Sequence, residues 1–119
     1  MKKLFVLIPP AQKELEDMPV DLQAALGALI KVLKENGRLA PPQGKIVDRT
    51  ERIFEMRVEE NELQGRMLYY YIDKDGAVYG LAVFIKKKQK TPKKELDLAR
   101  HRLRLLKQGA WREEHNEED

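Results

Sequence analysis

The sequence predicts an α+β domain, with an N-terminal strand and a helical hairpin packed on an antiparallel sheet of about four strands, followed by a C-terminal helix. Three observations lead there. Apolar residues recur at three- and four-residue spacing over 19–36, side chains alternate between two faces over 52–58, 66–73 and 77–85, and Thr91-Pro92 opens a second amphipathic run. A length of 119 residues suits one domain, and a chain of that size buries roughly two-thirds of its unfolded surface. The expected folded unit is 1–111, with 112–119 as an acidic, disordered tail.

The first element is a strand over 4–8 (LFVLI). Lys2 and Lys3 precede it, as in a signal peptide, but five apolar residues are too few for the hydrophobic segment of one and Pro9-Pro10 then leads into charged sequence. A short helix follows at about 12–17. Pro19 sits at the start of a longer one, with Asp17 as its expected cap. Within that helix Leu22, Ala25, Leu26, Leu29, Ile30 and Leu33 form one apolar face, and Asn36-Gly37 ends it in the left-handed manner. Residues 37–44, with Pro41-Pro42, read as a connecting loop.

The sheet occupies the second half. In the first segment Phe54, Met56 and Val58 alternate against Ile53, Glu55 and Arg57. A polar turn, EENELQG, spans 59–65. In the next strand Arg66, Leu68, Tyr70 and Ile72 alternate against Met67, Tyr69 and Tyr71, and the run Asp73-Lys74-Asp75-Gly76 is a hairpin signal. Residues 77–85 are apolar on both faces, as in a strand with neighbours on either side. In the last helix Thr91 is the expected N-cap and Pro92 the first helical residue. Leu96, Ala99, Leu103 and Leu106 form its apolar face, and Gly109 stops it.

Charge is more informative by region than in total. The last eight residues carry one Arg against five carboxylates, a net of −4, so the overall +3 leaves +7 for residues 1–111. A basic domain attracts polyanions without specificity. Six lysines fall within the nine residues 86–94, KKKQKTPKK, at the end of the apolar third strand. Cysteine is absent and the two histidines are far apart, which excludes a disulfide framework and disfavours zinc. No cofactor and no metal are expected. The absence of cysteine also gives the cytoplasm as the expected location, and no segment approaches the roughly 18 to 20 apolar residues of a membrane span, so no membrane partner is expected.

The segments FEMRV (54–58), GRMLYYY (65–71) and FIKKKQKTPKKELDLA (84–99), placed after a helical hairpin, resemble the HigB-like, phage-derived branch of the RelE/ParE toxin superfamily. The resemblance implies a RelE/ParE-like fold and a type II toxin that cleaves mRNA, usually on the ribosome, without a metal. It implies a cognate antitoxin as partner, HigA-like and carrying a helix-turn-helix domain. On the same fold, a ParE-like gyrase inhibitor and a non-enzymatic RNA- or ribosome-binding module are the alternative functions.

Metal-independent RNA cleavage needs a base for the ribose 2′-hydroxyl, positive charge on the phosphorane and a proton for the leaving oxygen. Arginine suits the second role through its fixed two-pronged fork. Arg57 and Arg66, on neighbouring strands and able to share a face, are the leading catalytic candidates, and the competing reading is an exposed salt bridge with a cross-strand carboxylate. Lys86 and Lys87 complete the catalytic set, as phosphate ligands or as a lysine of lowered pKa. Lys88, Lys90, Lys93 and Lys94 are expected to bind RNA, or else to form a solvated charge run. Tyr70, on the face of Arg66, is the candidate for stacking on a base, with Tyr79 a weaker one. Glu55 is the candidate general base, its alternative being a salt-bridge partner. Neither His101 nor His115 has a place in the scheme, and Trp111 either folds back on the core or joins an antitoxin-facing patch.

Overall fold

The chain forms one five-stranded mixed sheet between two helical layers. The structure is a computed structural model that describes residues 3–71, 76–86 and 91–111. In chain order the elements are β1 (Leu4–Leu7), α1 (Pro9–Glu16), α2 (Val20–Asn36), β2 (Gly44–Asp48), β3 (Ile53–Glu60), β4 (Leu63–Tyr71), β5 (Ala77–Lys86) and α3 (Lys93–Lys107). The strand order is β1-β5-β4-β3-β2. The expected α+β class and helical hairpin are present, but the sheet has five strands rather than about four. It is also not wholly antiparallel, because β1 lies parallel to β5.

Several local expectations change for physical reasons. Pro9 and Pro10 close β1 and also begin α1, occupying its first positions where no donor is needed. Asp17 ends α1 instead of capping α2, whose N-cap is Pro19 with no side-chain hydrogen bond. The loop expected over 37–44 gives way at Gly44 to β2, which pairs antiparallel with β3. The polar turn shrinks to Asn61-Glu62, both at positive φ (52° and 68°), and the residues on either side of it stay in register, Glu59 with Gln64 and Glu60 with Leu63. A two-residue turn with both φ positive matches the strand twist, so the ladder continues to the tip. The hairpin signal at 73–76 lies mostly outside the described residues, though β4 and β5 are antiparallel as it requires.

Helices α1 and α2 cover one face of the sheet. There Leu22, Leu26 and Leu33 bury against Met56, Met67 and Tyr69, and Phe54 stacks on Tyr69 with ring centroids 5.7 Å apart. Gly37, at φ 83°, reverses the chain after α2, and its carbonyl accepts the Tyr71 hydroxyl. Burying each such leucine contributes roughly 1.5–3 kcal/mol. Gly80 sits where the strands are close: a Cβ there would meet a Leu7 methyl at 2.7 Å, so that side chain would have to shift to admit a larger residue.

Helix α3 crosses the opposite face, burying Ala99 and Leu103. Polar contacts fix its path. Arg100 Nε donates to Asp48 at 2.8 Å, at the end of β2. Arg102 forms a two-pronged pair with Glu14 of α1 (3.0 and 2.9 Å) and donates to the Leu81 carbonyl at 2.8 Å. Glu14 in turn accepts the Val83 amide at 3.0 Å. Trp111 is partly buried against the core, which is the first of its two expected placements. Among the described residues no helix is long and apolar enough to cross a membrane, and no group of three or more His, Cys, Asp or Glu side chains could hold a metal ion.

Candidate functional site

The register of the sheet brings the charged residues together. Arg57 of β3 is directly opposite Arg66 of β4, Glu55 is one pair further along opposite Leu68, and Lys45 of β2 faces Glu55 from the other side. Arg66 is paired with Phe84 and Gln64 with Lys86. Because side chains alternate along a strand, these positions share the α3 face of the sheet.

At the centre is a buried carboxylate. Glu55 has no solvent exposure, yet its neighbours are cations: Lys45 Nζ is 3.8 Å from Oε1 and Arg66 Nε is 3.7 Å from Oε2. Thr91 donates its hydroxyl to Oε2 at 2.7 Å. This corrects the sequence expectation for Thr91. Pro92 is the N-cap of α3, without a side-chain bond, and the threonine hydroxyl instead ties the start of the helix to the sheet.

Arg66 is nearly buried, at 4% exposure. Its guanidinium donates to the Gly65 carbonyl (3.2 Å) and to Gln64 Oε1 (2.6 Å). Burial, and then the Arg57 charge, press its pKa down, while Glu55 and Glu59 oppose them. Arginine still keeps its proton in any protein setting. Lys86 is 3% exposed, and burial lowers its pKa; Glu55 works against this, and the charges of Arg66, Arg57 and Lys45 add to it. Arg57 is only half-buried, and Lys45 is exposed.

Four cations thus gather about one buried carboxylate, two of them, Arg66 and Lys86, buried and two, Lys45 and Arg57, reached by solvent. Prepositioned charges of this kind suit an anion, most strongly where they are poorly solvated. Glu55, expected as a candidate base or a salt-bridge partner, is out of contact with solvent and lies 3.7 Å from Arg66 Nε.

Other expected residues are elsewhere. Tyr70 does share the face of Arg66, but four residues along a strand place it about 13 Å away, where it stacks on Tyr79 and lies beneath Lys107. It is not brought to the cluster. Tyr69 is buried, and burial together with Tyr71 drives its pKa up. Lys93 and Lys94 are exposed on the first turn of α3, Lys93 paired with Asp97 at 2.6 Å. Lys87, Lys88 and Lys90 lie outside the described residues, as does His115.

Sequence reasoning missed Lys45 and the hydroxyl of Thr91. It also missed a cavity of about 580 Å³ beside the cluster, at the edge of β3 beyond the end of β2. Ala25 and Ala28 of α2 form part of one wall, Gln43 and Gln64 stand at its sides, and Arg57 and Arg66 line it from the sheet. No signal marked it, since its walls come from four separate stretches of chain.

Solved structures with the same fold are toxins of the RelE group. A free-state E. coli RelE mutant with two arginines changed to alanine superposes with a TM-score of 0.66 at 14% identity, covering 87% of this chain and 99% of that one. The RelBE2 toxin–antitoxin complex of Mycobacterium tuberculosis gives 0.56 at 20% identity, covering 72% and 100%. The intact E. coli RelBE toxin–antitoxin complex gives 0.55 at 14%, covering 72% and 99%. The RelE-like fold expected from the sequence is therefore present. No curated protein sequence matches. The model of the family described as phage-derived protein, Gp49-like, matches residues 13–104, more than three-quarters of the sequence, and the chain belongs to that family.

Proposed function

We propose that this chain is the toxin of a type II toxin–antitoxin pair and acts as a metal-independent endoribonuclease on mRNA, at the ribosome, in the cytoplasm. The observation that carries the reading is the cluster itself: Lys45, Arg57, Arg66 and Lys86 are held around one buried carboxylate, leaving an excess of positive charge on a surface with the RelE fold. A phosphodiester would supply the missing negative charge.

In this mechanism Arg57, at the surface, engages the scissile phosphate and Arg66 stabilises the charge that builds on the phosphorane oxygens. Glu55 and Gln64 hold the Arg66 guanidinium in place. Lys86, whose burial favours the neutral amine, is suited to exchange a proton with the 2′-hydroxyl or the leaving 5′-oxygen, and Lys87 is its expected companion. Lys93 and Lys94, with Lys88 and Lys90, supply outer phosphate contacts whose strength falls with salt. The partner is an antitoxin, as in the RelBE complexes, and HigA-like if the chain follows the HigB branch.

Induced expression tests this directly, with mapping of transcript 5′ ends. Cleavage inside translated codons is expected, and its loss in Arg57→Ala. Intact transcripts with trapped gyrase–DNA complexes would instead identify a gyrase inhibitor, and RNA binding without cleavage would identify a binding module.

A further inference from the structure

The cavity beside the cluster has a shape and lining that the phosphate chemistry leaves unexplained. Its volume, about 580 Å³, lies within the range of small-molecule sites, about 300–1,000 Å³. One wall includes two alanines, Ala25 and Ala28, whose short side chains leave a smooth apolar surface on α2. Two side-chain amides, Gln43 and Gln64, also line it. The oxygen of Gln64 accepts from Arg66, so its NH₂ group is not engaged in that bond. Gln43 is exposed, and its backbone carbonyl accepts the Arg57 amide at 2.9 Å, so its position follows that of the arginine.

The lining also includes Glu59 and Glu60, whose carboxylates can accept from the amino groups of a base; with the apolar wall, two amides and two guanidinium groups, they match the parts of a nucleotide. The planar base needs apolar surface and a donor–acceptor edge, and the phosphate needs cations. We infer that this cavity takes the base of the nucleotide whose phosphate Arg57 and Arg66 hold, and that Gln43 and Gln64 read the edge of that base. The inference rests on the RNA-cleaving reading for its substrate, but the pocket can be tested separately.

The full chain is titrated with the four nucleoside 3′-monophosphates and with ribose 5-phosphate, by NMR. At least one nucleotide is expected to bind tenfold or more tightly than ribose phosphate, with shifts at Ala25, Ala28 and Gln43. Ala28→Phe, which fills the cavity from an exposed helix position, is expected to abolish that advantage. Gln43→Ala, a loop substitution that keeps the backbone bond to Arg57, is expected to reduce discrimination among bases at least threefold while retaining binding. Equal affinity for ribose phosphate and nucleotides would overturn the inference, as would unchanged base preference in both variants. Cleavage mapping separates the two ideas. Unaltered codon preference in Ala28→Phe and Gln43→Ala removes the base pocket and leaves the nuclease standing, whereas selective nucleotide binding without transcript cleavage supports the pocket and removes the nuclease.

Discussion

Replacing Glu55 by Gln tests whether the cluster is assembled around a counter-ion. The substitution keeps the shape of the side chain and its ability to accept the Thr91 hydroxyl, so the loss is chiefly that of one negative charge. Arg66 Nε is 3.7 Å from Glu55 Oε2, with both groups buried. At an effective dielectric constant of about 20 that attraction is about 4 to 5 kcal/mol. The Lys45 contact, at 3.8 Å, adds less, because that lysine is 43% exposed and solvent screens it; pairs of this kind contribute at most about 1 kcal/mol. Part of the sum is returned when a buried carboxylate no longer has to be desolvated, and breaking a buried pair from one side costs about 3–5 kcal/mol. We therefore expect Glu55→Gln to lower unfolding stability by about 3 kcal/mol at pH 7, or roughly 10–15 °C in Tm. Urea unfolding with a common m-value measures the difference. The same deficit should persist in 1 M salt, where exposed pairs are screened but buried ones are not. A variant within about 1 kcal/mol of the parent would refute the counter-ion role of Glu55.

Four further outcomes follow from the same geometry. Arg57→Ala is expected to lower the RNA cleavage rate by about 10²–10³-fold, the usual effect of losing one group that stabilises transition-state charge, with little change in the unfolding midpoint because the side chain is half-exposed; single-turnover cleavage and a thermal melt check both halves. Thr91→Val removes a hydrogen bond to a charged acceptor and should cost about 1.5–3 kcal/mol, with faster amide exchange in the first turn of α3, while Thr91→Ser should behave like the parent. For Lys86, whose folded pKa lies below the ordinary 10.5, the unfolded chain holds the proton more tightly, so stability relative to Lys86→Met should rise with pH through the window between the lowered value and 10.5 and level off above it; paired urea melts from pH 7 to 11 would show a flat difference if the amine is not perturbed. Leu26→Ala, at a position with no exposure, should cost about 2–5 kcal/mol in the same urea assay.

Much of the scaffold was legible because it depends on local pattern. The spacing of Leu22, Leu26 and Leu33 identified the buried face of α2, Gly37 marked its end, and the alternation around Glu55 and Arg57 set the face on which the cluster forms. Strand β2 escaped because GKIVD is short, follows two prolines and becomes a strand only through its pairing with β3. The parallel placement of β1 escaped for a related reason: it depends on contact with a strand some seventy residues later. Thr91 was misread because Thr-Pro before a helix is a good local cap signal, and only the three-dimensional proximity of Glu55 shows where the hydroxyl points. The burial of Glu55 and Lys86 likewise depends on how the strands and α3 pack, and Tyr70 lies away from the arginines whose face it shares because of its distance along β4.

The contact of Glu14 and Arg102 with β5 has a consequence for how the protein behaves in a crowded solution. Strand β1 pairs with β5 only as far as Gly80, so among the described residues the next stretch of β5 has no strand beside it on that side. The Val83 amide and the Leu81 carbonyl point to where another strand would pair, and the carboxylate and guanidinium occupy those two bonds. An open strand edge is a template for joining a second chain. Here it is closed by two side chains from opposite ends of the sequence, so that the edge is sealed only once α1 and α3 have both docked. A chain caught before that moment, or one lacking either charge, presents an adhesive edge, and self-association should therefore report on incomplete folding more sensitively than loss of helix does.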